Sequence, residues 1–258
     1  MSSLFSRPAV TPVKLSEPPV LESWDATAHP SQQRLRGYLD SVAALFGPIL
    51  AEDTTHLALA LDVGLADHVA LTRGGHDLDN YLFPLARRFG AGRFDAVFAR
   101  KRHDASSTIA VGPALRQGPD RAAVPPLLSV RTSVSATSAA WKEAIHQACR
   151  AAHPEPAPEG PLQVQLCFRV SAGRNWSTLW KPAIDALGPL LGMPDPDRPF
   201  RPSDDRIVDL ALHRNVDDSL GHDVVIAVWC NRVTPSIAQV GQGEETSMHT
   251  SGGSTRSS

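Results

Sequence analysis

Cysteine is nearly absent from this chain: Cys149, Cys167 and Cys230 are the only three in 258 residues, and no two of them form a C-x-x-C pair. A disulfide scaffold and a thiolate zinc site are thereby excluded, and the three read as reduced core residues of a cytosolic protein. Lysine is scarce as well. Lys14, Lys101, Lys142 and Lys181 stand alone among 25 basic residues, and the others are arginines, which suit bidentate phosphate or carboxylate contacts, although GC-rich coding produces the same bias. A net charge of -2 offers no global basic field for nucleic acid. No apolar run approaches the roughly 20 residues of a spanning helix. The first twenty residues carry Pro8, Pro12, Pro18 and Pro19 among scattered apolar residues and have no continuous hydrophobic stretch behind a basic start. We therefore expect neither signal peptide nor membrane anchor, and a cytoplasmic location. The ten histidines form neither H-E-x-x-H nor a cysteine-linked zinc pattern, and Walker, G-x-S-x-G and dinucleotide-binding motifs are missing.

What is present is an ordinary globular composition, 42% hydrophobic and 20% charged. Behind the proline-rich arm (1–29), Leu35, Leu39, Val42, Ala43, Leu45 and Phe46 recur at helical spacing between Pro30 and Leu50 until Gly47-Pro48 stops the pattern. A strand is expected from His56 to Val63, then a loop through Thr72-Arg-Gly-Gly75. A helix opened by Asp77-Leu-Asp-Asn80 runs to Phe89-Gly90, and segments 94–102 and 108–111 suggest a hairpin. The second part of the chain repeats that order: a helix over 137–152, an alternating strand over 162–170, a helix over about 177–191, and strands over 205–213 and 222–229 around a turn-rich Asn215–Ser219. A Gly/Ser/Thr-rich tail closes the chain and is expected to be disordered.

The two parts align. The segment from Asp77 to Gly90 lies without a gap over Asn175 to Gly188, with Pro84 on Pro182 and Gly90 on Gly188. With the common order of elements, this favours an internal duplication with halves at 30–125 and 126–232, followed by the tail at 233–258.

Two acidic clusters carry the chemistry. Asp77 and Asp79 share a strand-to-helix junction, where exposed backbone N–H groups partly offset their repulsion. Asp204 and Asp205 precede a strand in the other half. Carboxylates brought together from separate elements are how proteins hold Mg²⁺, which serves phosphodiester hydrolysis by activating water and stabilising the leaving oxygen. The plainer readings are a helix N-cap for the first cluster and a solvated turn for the second.

A strand, an Asp-x-Asp-Asn helix start with lysine three residues after the Asn, and an Asp-Asp pair opening a hairpin strand resemble the RusA-type Holliday-junction resolvases. The resemblance covers about 55 residues of each half. It implies homodimer-like packing, Mg²⁺ and cleavage of branched or flapped DNA. Neither half keeps the full set. Phe83 fills the lysine position of the first half, whereas Asn175 and Ser177 replace the paired acids of the second, where Lys181, Asp204 and Asp205 match. The expected fold is thus α+β, two similar halves, each a small mixed β-sheet flanked by helices, packed as an internal pseudo-dimer with flexible ends.

Two functions follow. In one, Asp77, Asp79, Asp204 and Asp205 hold Mg²⁺ in a single composite endonuclease site while Lys181 stabilises phosphate charge. In the other, the chain is a catalytically inert scaffold that binds nucleic acid or a partner protein. Phosphate contacts are expected from Arg100 and Arg102 on one strand face, Lys101 on the opposite face, Arg87, and Arg174 beside Trp176 and Trp180, although a charged sheet edge and core indoles explain these residues as readily.

Overall fold

The structure is a computed structural model that describes residues 3–23, 25–51, 54–118, 124–155 and 159–233. The expected disordered tail falls almost wholly on residues outside these ranges. One mixed sheet dominates. Its strands are β1 (Val13–Lys14), β2 (Leu57–Leu65), β3 (Phe94–His103), β4 (Thr108–Pro113), β5 (Leu128–Thr132), β6 (Leu162–Val170), β7 (Ile207–Val216) and β8 (Val224–Arg232), in the order β1-β4-β2-β3-β7-β6-β8-β5. Among the described residues the helices are α1 (Pro30–Leu45), α2 (Gly47–Ala51), α3 (Leu78–Phe89), α4 (Ala139–Ala152), α5 (Trp180–Asp185) and α6 (Gly188–Leu191). The α+β class is as expected. In place of two small sheets there is one of eight strands, joined by antiparallel pairing of β3 with β7 from Ala96↔His213 to Arg100↔Asp209.

The two expected hairpins do not form, because the strands of each supposed pair are separated by a third. β2 lies between β3 and β4, parallel to the first and antiparallel to the second, and β6 lies likewise between β7 and β8. The chain leaving β3 must therefore cross the end of β2, and it does so over Gly64. A Cβ there would meet the Ser106 carbonyl oxygen at 2.3 Å, and the Gly64 N–H donates to Ser107 Oγ at 3.0 Å. The crossing is pinned where Asp104 N–H donates to Leu65 O, and the crossing beyond β7 is pinned by Asp217 N–H on Val170 O.

The period-two alternation of Leu57-Ala-Leu-Ala-Leu61 decides the layering. Leu57, Leu59 and Leu61 face the main core with Tyr38, Leu82, Leu85, Trp141, Ile145 and Ile184 from the helices. Ala58 and Ala60 face the other way, where Ala96, Phe98, Ala110 and Ala211 form a shallow layer closed by Phe5. The proline-rich arm is accordingly packed, contrary to a flexible end. Phe5 bridges Arg116, β1 pairs β4, and Phe5 N–H donates to His213 Nδ1 at 3.2 Å. In place of one helix over 177–191 there is a 3₁₀ turn (Trp176–Leu179) followed by α5 and α6.

Candidate active site

Antiparallel pairing of β3 with β7 brings the start of β7 beside the end of β3, and α3 begins at that same end of the sheet. Asp204 and Asp205 lie in a 3₁₀ turn, Asp204–Arg206, entering β7. Lys101, near the end of β3, links the two. Its Nζ donates to the Asp205 carbonyl oxygen at 2.7 Å and to the His76 carbonyl oxygen, just before the first acid pair, at 2.8 Å. The expectation that Lys101 contacts phosphate is thereby corrected, since the side chain is 2% exposed and two of its three donors are bound to backbone.

Asp77 is the N-cap residue of α3, as the plainer reading has it, but its side chain makes no capping bond. Its Oδ2 instead accepts from Asn80 Nδ2 at 3.1 Å. Asp79, in the first turn, is 4% exposed. Opposite it stands Lys181 of α5, whose Nζ lies 2.8 Å from Asp204 Oδ2, 3.3 Å from Asp185 Oδ1 and 3.7 Å from Asp79 Oδ2. Asp79 and Asp204, 125 positions apart in the chain, therefore approach no farther apart than the sum of two ion-pair distances. Lys142 of α4 completes the group through Asp185 at 2.7 Å.

The electrostatics are those of crowded, dehydrated carboxylates. Burial pushes the Asp79 carboxyl up to about 7, with Lys181 opposing and Asp204 and Asp77 adding to the rise. Burial likewise raises Asp77, with Asp204 adding, and raises Asp205 against the pull of Lys101. Burial lowers Lys101 to about 8. For Lys181 burial acts downward too, but the surrounding Asp79, Asp204 and Asp185 outweigh it and hold the ammonium above its ordinary value. Among the described residues, no group of three or more His, Cys, Asp or Glu side chains is arranged to hold a metal ion.

Two depressions flank the acids. A cleft of about 480 Å³ is lined by Asp205, Ser203, Arg73 and Arg206. A smaller pocket of about 280 Å³ is lined by Asp79, Lys181, Phe83 and Trp180. The expected basic contacts lie elsewhere. Arg100 is paired with Asp62 at 2.7 Å and Arg102 with Asp104 at 3.0 Å. Arg87 is exposed in the last turn of α3 near Glu22, and Arg174 is half-buried before the 3₁₀ turn that leads into α5. Trp176 and Trp180 are core residues, each 1% exposed.

Sequence reasoning missed Asp185, Lys142 and Arg73. Asp185 carried a signal, four residues after Lys181 and hence on its helix face. Lys142 and Arg73 carried none beyond their charge. A scan of protein-family models finds no match to this chain, and a search of curated proteins finds none either.

Proposed function

We propose that the chain is a RusA-like, Mg²⁺-dependent structure-selective DNA endonuclease whose halves pack as an internal pseudo-dimer and share one composite site. The observation that carries this reading is the meeting of Asp79 from one half with Lys181 and Asp204 from the other. The pseudo-dimer is supported by the sheet order, whose central strands β4-β2-β3 and β8-β6-β7 have the same pairing senses on either side of the β3/β7 junction. Register adds support. Leu57 to Leu65 against Phe94 to His103 matches Leu162 to Val170 against Ile207 to Val216, each with an irregularity after the first pair.

Asp77, Asp79, Asp204 and Asp205 are hard oxygen donors of the kind Mg²⁺ takes. As they stand they do not form a metal cage, and Lys181 occupies the space between Asp79 and Asp204, so an ion would have to draw them together and displace that ammonium. Bound there, the ion would supply Lewis acidity toward a phosphodiester oxygen and acidify water. The chain's own contribution would be Lys181, whose charge faces the acids and would meet a phosphate, and Arg73 in the adjoining cleft, positioned to orient the sugar–phosphate backbone. Incubation with four-way or flapped DNA and Mg²⁺ should give nicks, and Asp79→Asn should abolish them without loss of folding. Equal cutting by that variant would refute the assignment.

The second reading, an inert scaffold that binds nucleic acid or a partner protein, draws on one observation. The Lys181 ammonium already stands among three carboxylates, where a cation would otherwise neutralise them. Under it, Mg²⁺ leaves the melting temperature unchanged and no branched DNA is cut.

A further inference from the structure

The smaller pocket has features that the acid cluster does not explain. Its wall is aromatic. Phe83 and Trp180 meet edge to face with centroids 6.3 Å apart and planes at 83°, and Pro182 adds another flat surface. Phe83 is only half-buried, whereas Trp180 is 1% exposed and its indole N–H has no hydrogen-bond partner. The indole nitrogen is itself sealed from solvent, and the ring packs edge to face on Trp176 with centroids 4.7 Å apart, so Trp180 serves the pocket as an apolar wall. The rim is polar, with Glu22, Asn80, Thr178 and the Lys142–Asp185 ion pair.

We propose that this pocket takes one unstacked nucleobase of the DNA substrate, a placement that rests on the nuclease reading but is testable apart from it. A heteroaromatic ring matches the pocket in shape and in polarity. Its face stacks on Phe83, Lys142 supplies a donor to a ring nitrogen or carbonyl, and Glu22 and Asp185 accept from an exocyclic amine. Adenine, with acceptor nitrogens and one exocyclic amine, fits this set. Because Asp79 and Lys181 line the same pocket, a base held there carries its phosphate toward the acids. Extrusion costs least where a base is unpaired or already single-stranded, as in a flap or an opened branch point.

The test uses the full chain, dAMP as a monomer probe, and a four-way junction with 2-aminopurine placed singly along its arms. We expect dAMP, but not deoxyribose 5-phosphate, to quench tryptophan fluorescence with weak saturable binding. Phe83→Tyr should retain this binding, and Phe83→Leu, which keeps bulk but removes the ring, should weaken it about tenfold or more. On the junction, without Mg²⁺, 2-aminopurine fluorescence should rise at a position near the branch with the parent protein and with Asp40→Ala, which lies outside the pocket, but not with Phe83→Leu. The proposal is overturned by dAMP binding that is indifferent to Phe83→Leu, or by a bound junction in which no position responds. Base binding that depends on Phe83 in a protein that cuts no branched DNA would sustain the pocket and overturn the nuclease reading. Cutting without any base response would do the reverse.

Discussion

Replacing Asp79 by Asn should make the protein more stable at alkaline pH while ending any activity of the site. The carboxyl is pushed from 3.8 up to about 7, chiefly by burial, so the folded protein retains a proton that the unfolded chain has already released. Stability from this group therefore falls as pH rises from about 4 to about 7, and the cost is fully present above that window. Every tenfold gain in proton affinity on folding corresponds to about 1.4 kcal/mol, so the rise from 3.8 to about 7 sets a ceiling of about 4 kcal/mol. That net rise already contains the attraction of Lys181, and because the amide fits beside the ammonium less well than a protonated carboxyl we expect a gain of about 1–4 kcal/mol at pH 8. His213 titrates in the same window with the opposite sign. Burial lowers it to about 3, so the unfolded chain takes up a proton below about pH 6.5 that the folded protein refuses, and stability falls as pH falls. The measurement must therefore be the difference between variant and parent in urea unfolding at about pH 4.5 and about pH 8. A difference of about 1 kcal/mol or less in acid, growing in alkali, is expected. A variant that is less stable at the higher pH, or equally shifted at both, would refute the reasoning.

Further expectations concern the scaffold and the cation. Gly64→Ala drives a Cβ into the Ser106 carbonyl, which belongs to backbone and cannot swing aside, and should cost about 2–3 kcal/mol or more by thermal or urea unfolding. Lys101→Met leaves the His76 and Asp205 carbonyl oxygens without their donor and should lower stability by about 1–3 kcal/mol, with loss of any nicking because both acid pairs lose their common anchor. Mg²⁺ at about 100 times its dissociation constant should stabilise the parent by about 2.7 kcal/mol and Asp79→Asn by distinctly less, read as a shift in melting temperature. Asp40→Ala breaks only an exposed pair with Arg88 and should stay within about 0.5 kcal/mol of the parent.

Acids that meet only after tertiary assembly are costly to bury, and the site balances them with Lys101 and Lys181. Three of its members, Asp77, Asp79 and Asp205, are still shifted toward the neutral form. Such stored electrostatic strain is characteristic of functional sites, though ion-pair networks of purely structural role share it.

Local pattern was enough for most of the longer elements, though not for the broken helix over 177–191. The strand at Leu162–Val170 and the helix ending at Phe89 with Gly90 in the left-handed region (φ 89°) were legible from alternation, helical spacing and a glycine stop. The acid pairs and Lys181 were legible as residue types at a helix start, a strand start and a helix face. Strand pairing was not legible. Segments 94–103 and 108–113 are neighbours in sequence, which favours pairing them, but β2 intervenes because its backbone is buried on both sides and needs a partner on each. The two-residue β1 and the five-residue β5 offered too little alternation to stand out, and the arm's prolines concealed Phe5, buried on an alanine face, and Leu4, buried against Cys167 and Ala227, surfaces that exist only once the sheet has formed. Which residues carry charge, and which stretches are helix or strand, is written in the chain alone, because those preferences act over a few positions. That Asp79, Lys181 and Asp204 face one another follows from the assembled fold, because the β3/β7 junction that aligns them is a long-range pairing for which the local chain holds no code.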